Sequence, residues 1–421
     1  MSTGLFAREL RPAQKIIATV VLAFAVLGCA LHPYVYHDFL IVPYFAVGLA
    51  CILILQLRVM ASMRDAFVVV AIGLALLQVD LRLLGYQTSA MAVLSLFGLA
   101  SLLMLGWRAI WDRAVNEPLR RAFVAAAALS VAVALTGFYI ERTFFWHIRV
   151  YDLFLYSFDS SLGKQWTFLL AQHTANNPAA HWLSTFAYDL VLVPPALVYA
   201  AVVHDERRAR IALWAFLIVA PLAAFCFLLF PATGPLYAFR TFPKLVVPAS
   251  ELARLIPTSV DVTGPRNAIP SLHFAWVLLA YWNSRETKSW IRVFCAVMVV
   301  LTIYATLMTG EHYGVDLLLA VPFALGVQGL SVWIASSRAQ STVRWAIASF
   351  AVVATWLTLL RLANRMFWIS PVVPWSLVIL TMAVSVLVYR QLVAAEPSLR
   401  TVLERPRVEK PNQFVHPKPA N

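Results

Sequence analysis

The chain has 421 residues, of which 61% are hydrophobic and only 13% charged, with a net charge of +13. Soluble domains carry roughly 25% charged residues, so this composition excludes a water-soluble globular protein and makes lipid the solvent. The positive charge does not point to nucleic acid, because the basic residues sit in short clusters between apolar runs, the pattern of cytoplasmic membrane loops. The four cysteines (Cys29, Cys51, Cys226 and Cys295) all fall inside apolar runs, which predicts no disulfides and a role as small apolar residues.

A membrane-spanning helix needs roughly 20 mostly apolar residues. Twelve runs read as spans, near 16–33, 39–57, 66–85, 88–106, 122–140, 181–203, 211–230, 270–283, 292–309, 311–334, 345–361 and 372–389. The first has no convincing small-residue cleavage site and is expected to be retained. The eighth is short and is expected to extend at one end. The ninth and tenth nearly abut, which predicts a tight turn. The 23 prolines do not oppose helices in lipid. The expected fold class is all-α: a polytopic transmembrane helical bundle of about 12 spans.

Sidedness follows from the loops. With Arg8, Arg11 and Lys15 inside, the clusters at Arg58 and Arg64, Arg108 to Arg121, Arg207 to Arg210, Arg285 to Arg292, Arg338 and Arg344, and the tail from Arg390 are inside too. That arrangement places 23 of the 33 Lys and Arg on one side, as the positive-inside rule requires. Both termini are then expected to be cytoplasmic. Two outside segments are long. Residues 141–180 are rich in aromatics (Phe144, Phe145, Trp146, Tyr151, Phe154, Tyr156, Trp166, Phe168) and are expected to lie at the interface. Residues 231–269 have Pro and Gly at both ends and carry Arg240, Lys244, Arg254 and Arg266. The polar tail after Glu396 is expected to be disordered.

Two stretches carry chemistry: Ala268-Ile269-Pro270-Ser271-Leu272-His273-Phe274-Ala275-Trp276 and Thr309-Gly310-Glu311-His312-Tyr313-Gly314-Val315-Asp316. Each stands where an outside loop becomes an inward-running helix, so His273 and His312 are expected at one membrane face. Pro270 suits a helix's first turn. Ser271 with the free N–H groups there suits an anion, or simply caps the helix. His312 and Asp316 are four apart, the spacing of one helix face. A carboxylate holding one imidazole nitrogen leaves the other free as nucleophile or base, and His273 is placed to protonate a leaving oxygen. Arg266, Arg240 and Lys244 are the candidate phosphate-binding cations. Asp189, inside the sixth run, either pairs with an outer arginine or contacts substrate.

These stretches resemble the second and third motifs of the type 2 phosphatidic acid phosphatase superfamily. The form Pro-Ser-Leu-His followed by His-Tyr-x-x-Asp looks most like its inositol phosphorylceramide synthase branch. The resemblance implies that His312 is the nucleophile, Asp316 its orienting carboxylate, His273 the general acid and Ser271 a phosphate ligand, with no metal and no cofactor. The sequence departs from the phosphatase pattern twice. Thr306 stands where the third motif has an arginine, and Phe230-Pro231-Ala232-Thr233-Gly234-Pro235 replaces the first motif, similar to the proline-rich motif of the synthase-like branch.

The implied organisation is an N-terminal four-helix extension over 1–121, a six-helix catalytic core over 122–334, two further helices over 335–395 and the tail 396–421. The implied activity is phosphotransfer of a lipid headgroup. Hydrolysis of a lipid phosphate or polyprenyl diphosphate is the alternative, and a non-enzymatic lipid transporter a third class. The expected partners are phospholipid or lipid-phosphate substrates and membrane lipids, not nucleic acid. The excess of 27 Arg over 6 Lys suggests a bacterial inner membrane with a periplasmic active site.

Overall fold

The computed structural model describes residues 42–396 apart from 61, 85–89, 112–116, 147–148, 245–250, 252–258, 263 and 336–339. The run 16–33, the cationic N-terminus and the tail beyond Glu396 lie outside the described residues.

The described chain is helical almost throughout. Helices α1 (Val42–Val59), α2 (Met63–Val79, ending in a π turn at Asp80–Leu84), α3 (Ala90–Trp111) and α4 (Glu117–Trp146) come first. Then follow β1 (Arg149–Val150), α5 (Asp152–Ser161), α6 (Trp166–Ala175), α7 (Pro178–Asp189), α8 (Val193–Val202), α9 (Glu206–Leu229) and the single turn α10 (Pro235–Ala238). The remainder is β2 (Val260–Asp261), α11 (Leu272–Asn283), α12 (Ser289–Met308), α13 (Gly314–Ala335), α14 (Gln340–Leu362) and α15 (Val372–Ala395). Helices α9, α11 and α13 pack on one another, with α12 against α11 and α14 and α15 against α13.

Among the described residues six segments are long and apolar enough to cross a membrane: Pro178–Val202, Glu206–Leu229, Ser289–Met308, Gly314–Ala335, Ser341–Leu362 and Val372–Ala395. Their outward faces stay apolar, as at Phe225, Leu229, Ile379 and Leu380. Such faces are stable in lipid, where the backbone satisfies itself within each helix. The chain is an integral membrane protein with an all-α fold.

The helices depart from the predicted runs in three places. The sixth run is one span made of α7 and α8, joined through a 3-10 turn at Leu190–Leu192. Pro194 and Pro195 at the start of α8 supply no N–H to continue the α-helical ladder. The eighth run does not extend: α11 has 12 residues, roughly 18 Å of helix against a hydrocarbon core of about 30 Å. Ser271 caps its start, and its end turns at Ser284 while the Asn283 side chain bonds Leu279 O and Gln328. Finally, the aromatic-rich residues 141–180 carry two ten-residue helices, α5 and α6.

The connections gather at two ends. Arg121 pairs with Glu206 at 3.9 Å, Arg208 with Glu286 at 3.8 Å, and Arg207 with Glu396 at one end. At the other, β1 pairs antiparallel with β2, Arg149 meets Asp261 at 3.6 Å, and Arg361 lies over the Tyr151 ring. The histidine motifs lie toward this second end.

Candidate active site

The site is built on α5. Asp152 and Asp159 are fully buried and seven residues apart, about two helical turns, so both face the same way. Asp152 accepts the Thr233 N–H at 3.0 Å, the Gly234 N–H at 2.9 Å and the Tyr313 hydroxyl at 3.0 Å. It thereby fixes the loop Phe230–Pro235 beside the third motif. Asp159 accepts the N–H groups of Gly314 at 2.7 Å and Val315 at 3.1 Å. Those are orphan donors of the first turn of α13, where a carboxylate also opposes the helix dipole favourably. Sequence reasoning assigned neither aspartate. The available signal was two carboxylates in an otherwise apolar segment.

The loop Phe230–Pro235 touches the histidine turn directly. Gly234 has φ +91, and a Cβ there would lie 2.2 Å from the carbonyl oxygen of Glu311, so only glycine fits. Gly310, at φ +75, makes the turn between α12 and His312, against the Phe242 ring. As a result α13 begins at Gly314, and Glu311 and His312 lie in the connection before it, not on the helix as the four-residue spacing implied. Asp316 still reaches back: its Oδ2 accepts the Tyr313 N–H at 2.8 Å, the reciprocal half of a capping box.

His312 is buried. Its Nδ1 lies 2.8 Å from the carbonyl oxygen of Ala268 and 3.4 Å from Asp316 Oδ2. A carbonyl can only accept, so the proton sits on Nδ1 and Nε2 keeps its lone pair. Nε2 is buried and has no hydrogen-bond partner among the described residues. Burial pulls the imidazole down to about 4, opposed by the neighbouring Glu311 carboxyl and the bond to Ala268. At neutral pH the ring is therefore uncharged. Burial pushes the Glu311 carboxyl up to about 7, against the pull of His312 and the Tyr237 hydroxyl, which donates to Oε1 at 3.3 Å.

His273 stands in the first turn of α11, its ring centroid 5.8 Å from that of His312. Tyr188 packs on its other side at 4.2 Å and Trp276 lies edge-on at 6.1 Å. Ser271 is the N-cap of α11, its hydroxyl oxygen accepting the Phe274 N–H at 3.4 Å, while its own N–H donates to Asp316 O at 3.2 Å. Pro270 lies before this cap, not inside the first turn, and the Ile269–Pro270 peptide is cis. His273, His312, Asp316 and Ser271 are thus brought together.

The cations are not gathered in the same way. Arg266 is buried in the loop over the site, but its guanidinium donates to the carbonyl oxygens of Gly264 and, at 2.7 Å, Val262. Arg240 and Lys244 are exposed on the turn after α10 and do not line the cleft beside His273. Asp189 ends α7 and makes no ion pair with an arginine among the described residues. Among the described residues no group of three or more His, Cys, Asp or Glu is arranged to hold a metal ion.

The cleft beside His273 holds about 620 Å³ of empty space, counted to its open mouth. Its lining is mostly apolar, with His273, Glu311 and Asn267 as polar groups. An uncharged imidazole with one nitrogen held, a second histidine beside it and a greasy cleft alongside form a set suited to nucleophilic attack on a group carried by a lipid.

Residues 153–330 match the family model of the PAP2 superfamily. No curated protein matches the chain, and no solved structure matches it. The match covers α5 through most of α13, and with it both histidine motifs and the loop Phe230–Pro235. This stretch of the all-α membrane protein is therefore similar to the PAP2 superfamily, whose members are phosphatases and phosphotransferases acting on lipid phosphates.

Proposed function

We propose that the protein is a membrane lipid headgroup phosphotransferase, inositol phosphorylceramide synthase-like, that works through a phospho-histidine. The observation that carries this reading is His312 itself. Its Nδ1–H is held by Ala268 O at 2.8 Å, and its buried Nε2 makes no hydrogen bond among the described residues. That is the state a nucleophilic imidazole needs before substrate arrives.

In the first half-reaction, Nε2 of His312 attacks phosphorus and the bond from phosphorus to the lipid oxygen breaks. His273 gives its proton to that oxygen, which leaves as a lipid alcohol. The imidazole ring turns cationic as the P–N bond forms. Asp316, 3.4 Å from Nδ1, stabilises that charge, and Ala268 O keeps the ring in place. In the second half-reaction a hydroxyl attacks phosphorus, His273 takes its proton and the P–N bond breaks. The N-terminal end of α11, capped by Ser271, presents its dipole to the transferring anion. Arg266, Arg240 and Lys244 are candidate headgroup ligands. For Arg266 this requires the guanidinium to leave the carbonyls it now bonds. The distribution of loop charge supports a site on the non-cytoplasmic face, which would be periplasmic in a bacterial inner membrane.

The reading is supported by the Pro-Ser-Leu-His and His-Tyr-x-x-Asp motif forms and by the proline-rich loop in place of a Lys-Arg motif. The test is to incubate the purified protein with labelled phosphatidic acid, phosphatidylinositol and phosphatidylglycerol, with and without ceramide or diacylglycerol. A new phospholipid that requires the acceptor and vanishes in His312→Ala is the expected result. Phosphate release that ignores the acceptor would make the protein a phosphatase instead, and full activity in His312→Ala would refute the mechanism.

A further inference from the structure

The cleft beside His273 has a wall that the superfamily match does not include. Residues 153–330 are matched, yet Val133, Thr136, Gly137 and Ile140 of α4 line the cleft opposite Leu272, His273 and Trp276 of α11. These four positions follow the i, i+3, i+4, i+7 pattern of a single helix face. Gly137 contributes no side chain at the centre of that face, which leaves space there. The Thr136 hydroxyl donates to Ala132 O at 2.6 Å, so its one proton is already used inside the helix. The face is apolar in effect although a threonine belongs to it.

The polar groups of the cleft are His273, Glu311 and Asn267, beside Pro265, and Tyr188 flanks His273. One cavity therefore joins the candidate phosphate-handling histidine to an apolar trough between two helices. A molecule fitting both parts has a polar headgroup and a hydrocarbon chain, with the ester oxygen between them reaching His273.

We infer that the α4 face of Val133, Thr136, Gly137 and Ile140, with Leu272 and Trp276, is the subsite for a hydrocarbon chain of the lipid substrate, and that Gly137 and Ile140 set which chains are accepted. This rests on the proposed lipid phosphotransfer at His312 and deepens it. A filled trough would turn away a long chain and leave the chemistry at His312 intact, so the effect should fall on long-chain substrates alone.

Two measurements on the full-length protein in nanodiscs test the assignment. In the first, phosphatidic acid with a photoactivatable diazirine on one acyl chain is crosslinked and the labelled peptides are mapped. Label is expected on the segments 133–140 and 272–276, and it should fall by about fivefold when unlabelled phosphatidic acid competes. Label on the outward-facing segment 225–229 should not be competed away. Absence of competable label on 133–140 would overturn the subsite, whatever the enzyme's activity. In the second, Gly137→Phe and Ile140→Trp are assayed with dioleoyl and dihexanoyl forms of the substrate. A drop in kcat/KM of about tenfold or more for the long chain, with little change for the short one, is expected. Equal losses on both chain lengths in both variants would count against the subsite. His312→Ala, run alongside, removes turnover of both substrates and leaves the crosslink. If it retained turnover, the mechanism would fail while the crosslink still decided the subsite.

Discussion

Nδ1 of His312 lies 2.8 Å from the carbonyl oxygen of Ala268. The stretch Ala268–Trp276 thus holds the proposed nucleophile of the other stretch by its main chain, and the imidazole tautomer is set before any carboxylate acts. Asp316, at 3.4 Å, is left with the charge that develops during attack. Asp316→Asn should therefore keep the tautomer and lose the charge. We expect kcat to fall roughly 10²-fold, short of the roughly 10⁴-fold loss seen where a carboxylate alone fixes the ring. Rapid-quench trapping of the phospho-enzyme beside steady-state kcat checks this. A loss equal to that of His312→Ala would show that Asp316 holds the tautomer after all.

The pH profile should carry two signatures. His312 is held down to about 4, so its neutral form persists well below the usual histidine range. The acid limb of kcat/KM should then fall near pH 4, not near 6.5. Glu311 is pushed up to about 7 from an ordinary 4.5, so the folded chain binds that proton more tightly than the unfolded chain. The stability it confers is present below about 4.5 and is lost as pH rises through about 7. Above 7 its carboxylate also faces the cleft and repels an anionic substrate. Glu311→Gln should flatten both the fall in kcat/KM and the fall in melting temperature between pH 5 and pH 8, about the range over which Glu311 titrates. An unchanged profile in that variant would remove Glu311 from the account.

Gly234 is the tightest contact between the proline-rich loop and the histidine turn. Gly234→Ala forces a side chain into an extended, positive-φ conformation (φ 91, ψ 159) open essentially to glycine alone, at about 1–3 kcal/mol. It also drives Cβ onto the Glu311 carbonyl, which a Cβ would approach to 2.2 Å. Thermal unfolding in detergent should show a loss of at least about 2 kcal/mol, and kcat should drop because Glu311 adjoins His312. A variant as stable and active as the parent would mean that the loop yields freely.

The Asp152 carboxylate gathers four donors in a buried site: the Thr233 N–H and hydroxyl, the Gly234 N–H and the Tyr313 hydroxyl. Tyr313→Phe removes one of them and should cost about 1.5–3 kcal/mol, the range for a hydrogen bond to a charged group. Asp152→Ala leaves the Thr233 and Gly234 N–H groups and the Tyr313 hydroxyl to find other partners. It should cost at least about 3 kcal/mol. Denaturant titration of both variants, each compared with the parent, measures the difference. Equal losses would mean that the two loop amides contribute nothing through Asp152.

The fold class was legible because apolar run length is a property of the chain alone. The convergence of His273 and His312 was legible because each motif stands at the start of an apolar helix, and the charge pattern of the loops puts both starts at one end. Helix register was harder. The four-residue step from His312 to Asp316 reads as one helix face, but Gly310 lets the chain turn first, and the helix starts at Gly314, after His312. The roles of Asp152 and Asp159 were hidden because their partners, main-chain N–H groups and, for Asp152, the Thr233 and Tyr313 hydroxyls, lie more than 80 residues away, and no local pattern marks such a partner. Arg266 looked like a phosphate ligand by proximity in sequence, but its guanidinium meets carbonyls of its own loop.

Asp152 and Asp159 sit on one short helix and hold separate segments: the proline-rich loop through the first, the start of α13 through the second. Their separation of seven residues brings them back into nearly the same angular phase, since each residue advances the helix by about 100°. The spacing is therefore a mechanical gauge. Inserting or deleting one residue between them would rotate one carboxylate away by about 100° while the other stayed seated. The two loops that frame His312 would lose their common datum even though every residue that touches the histidine was still present. A substitution that spares the two aspartates keeps this gauge; a change in length between them does not.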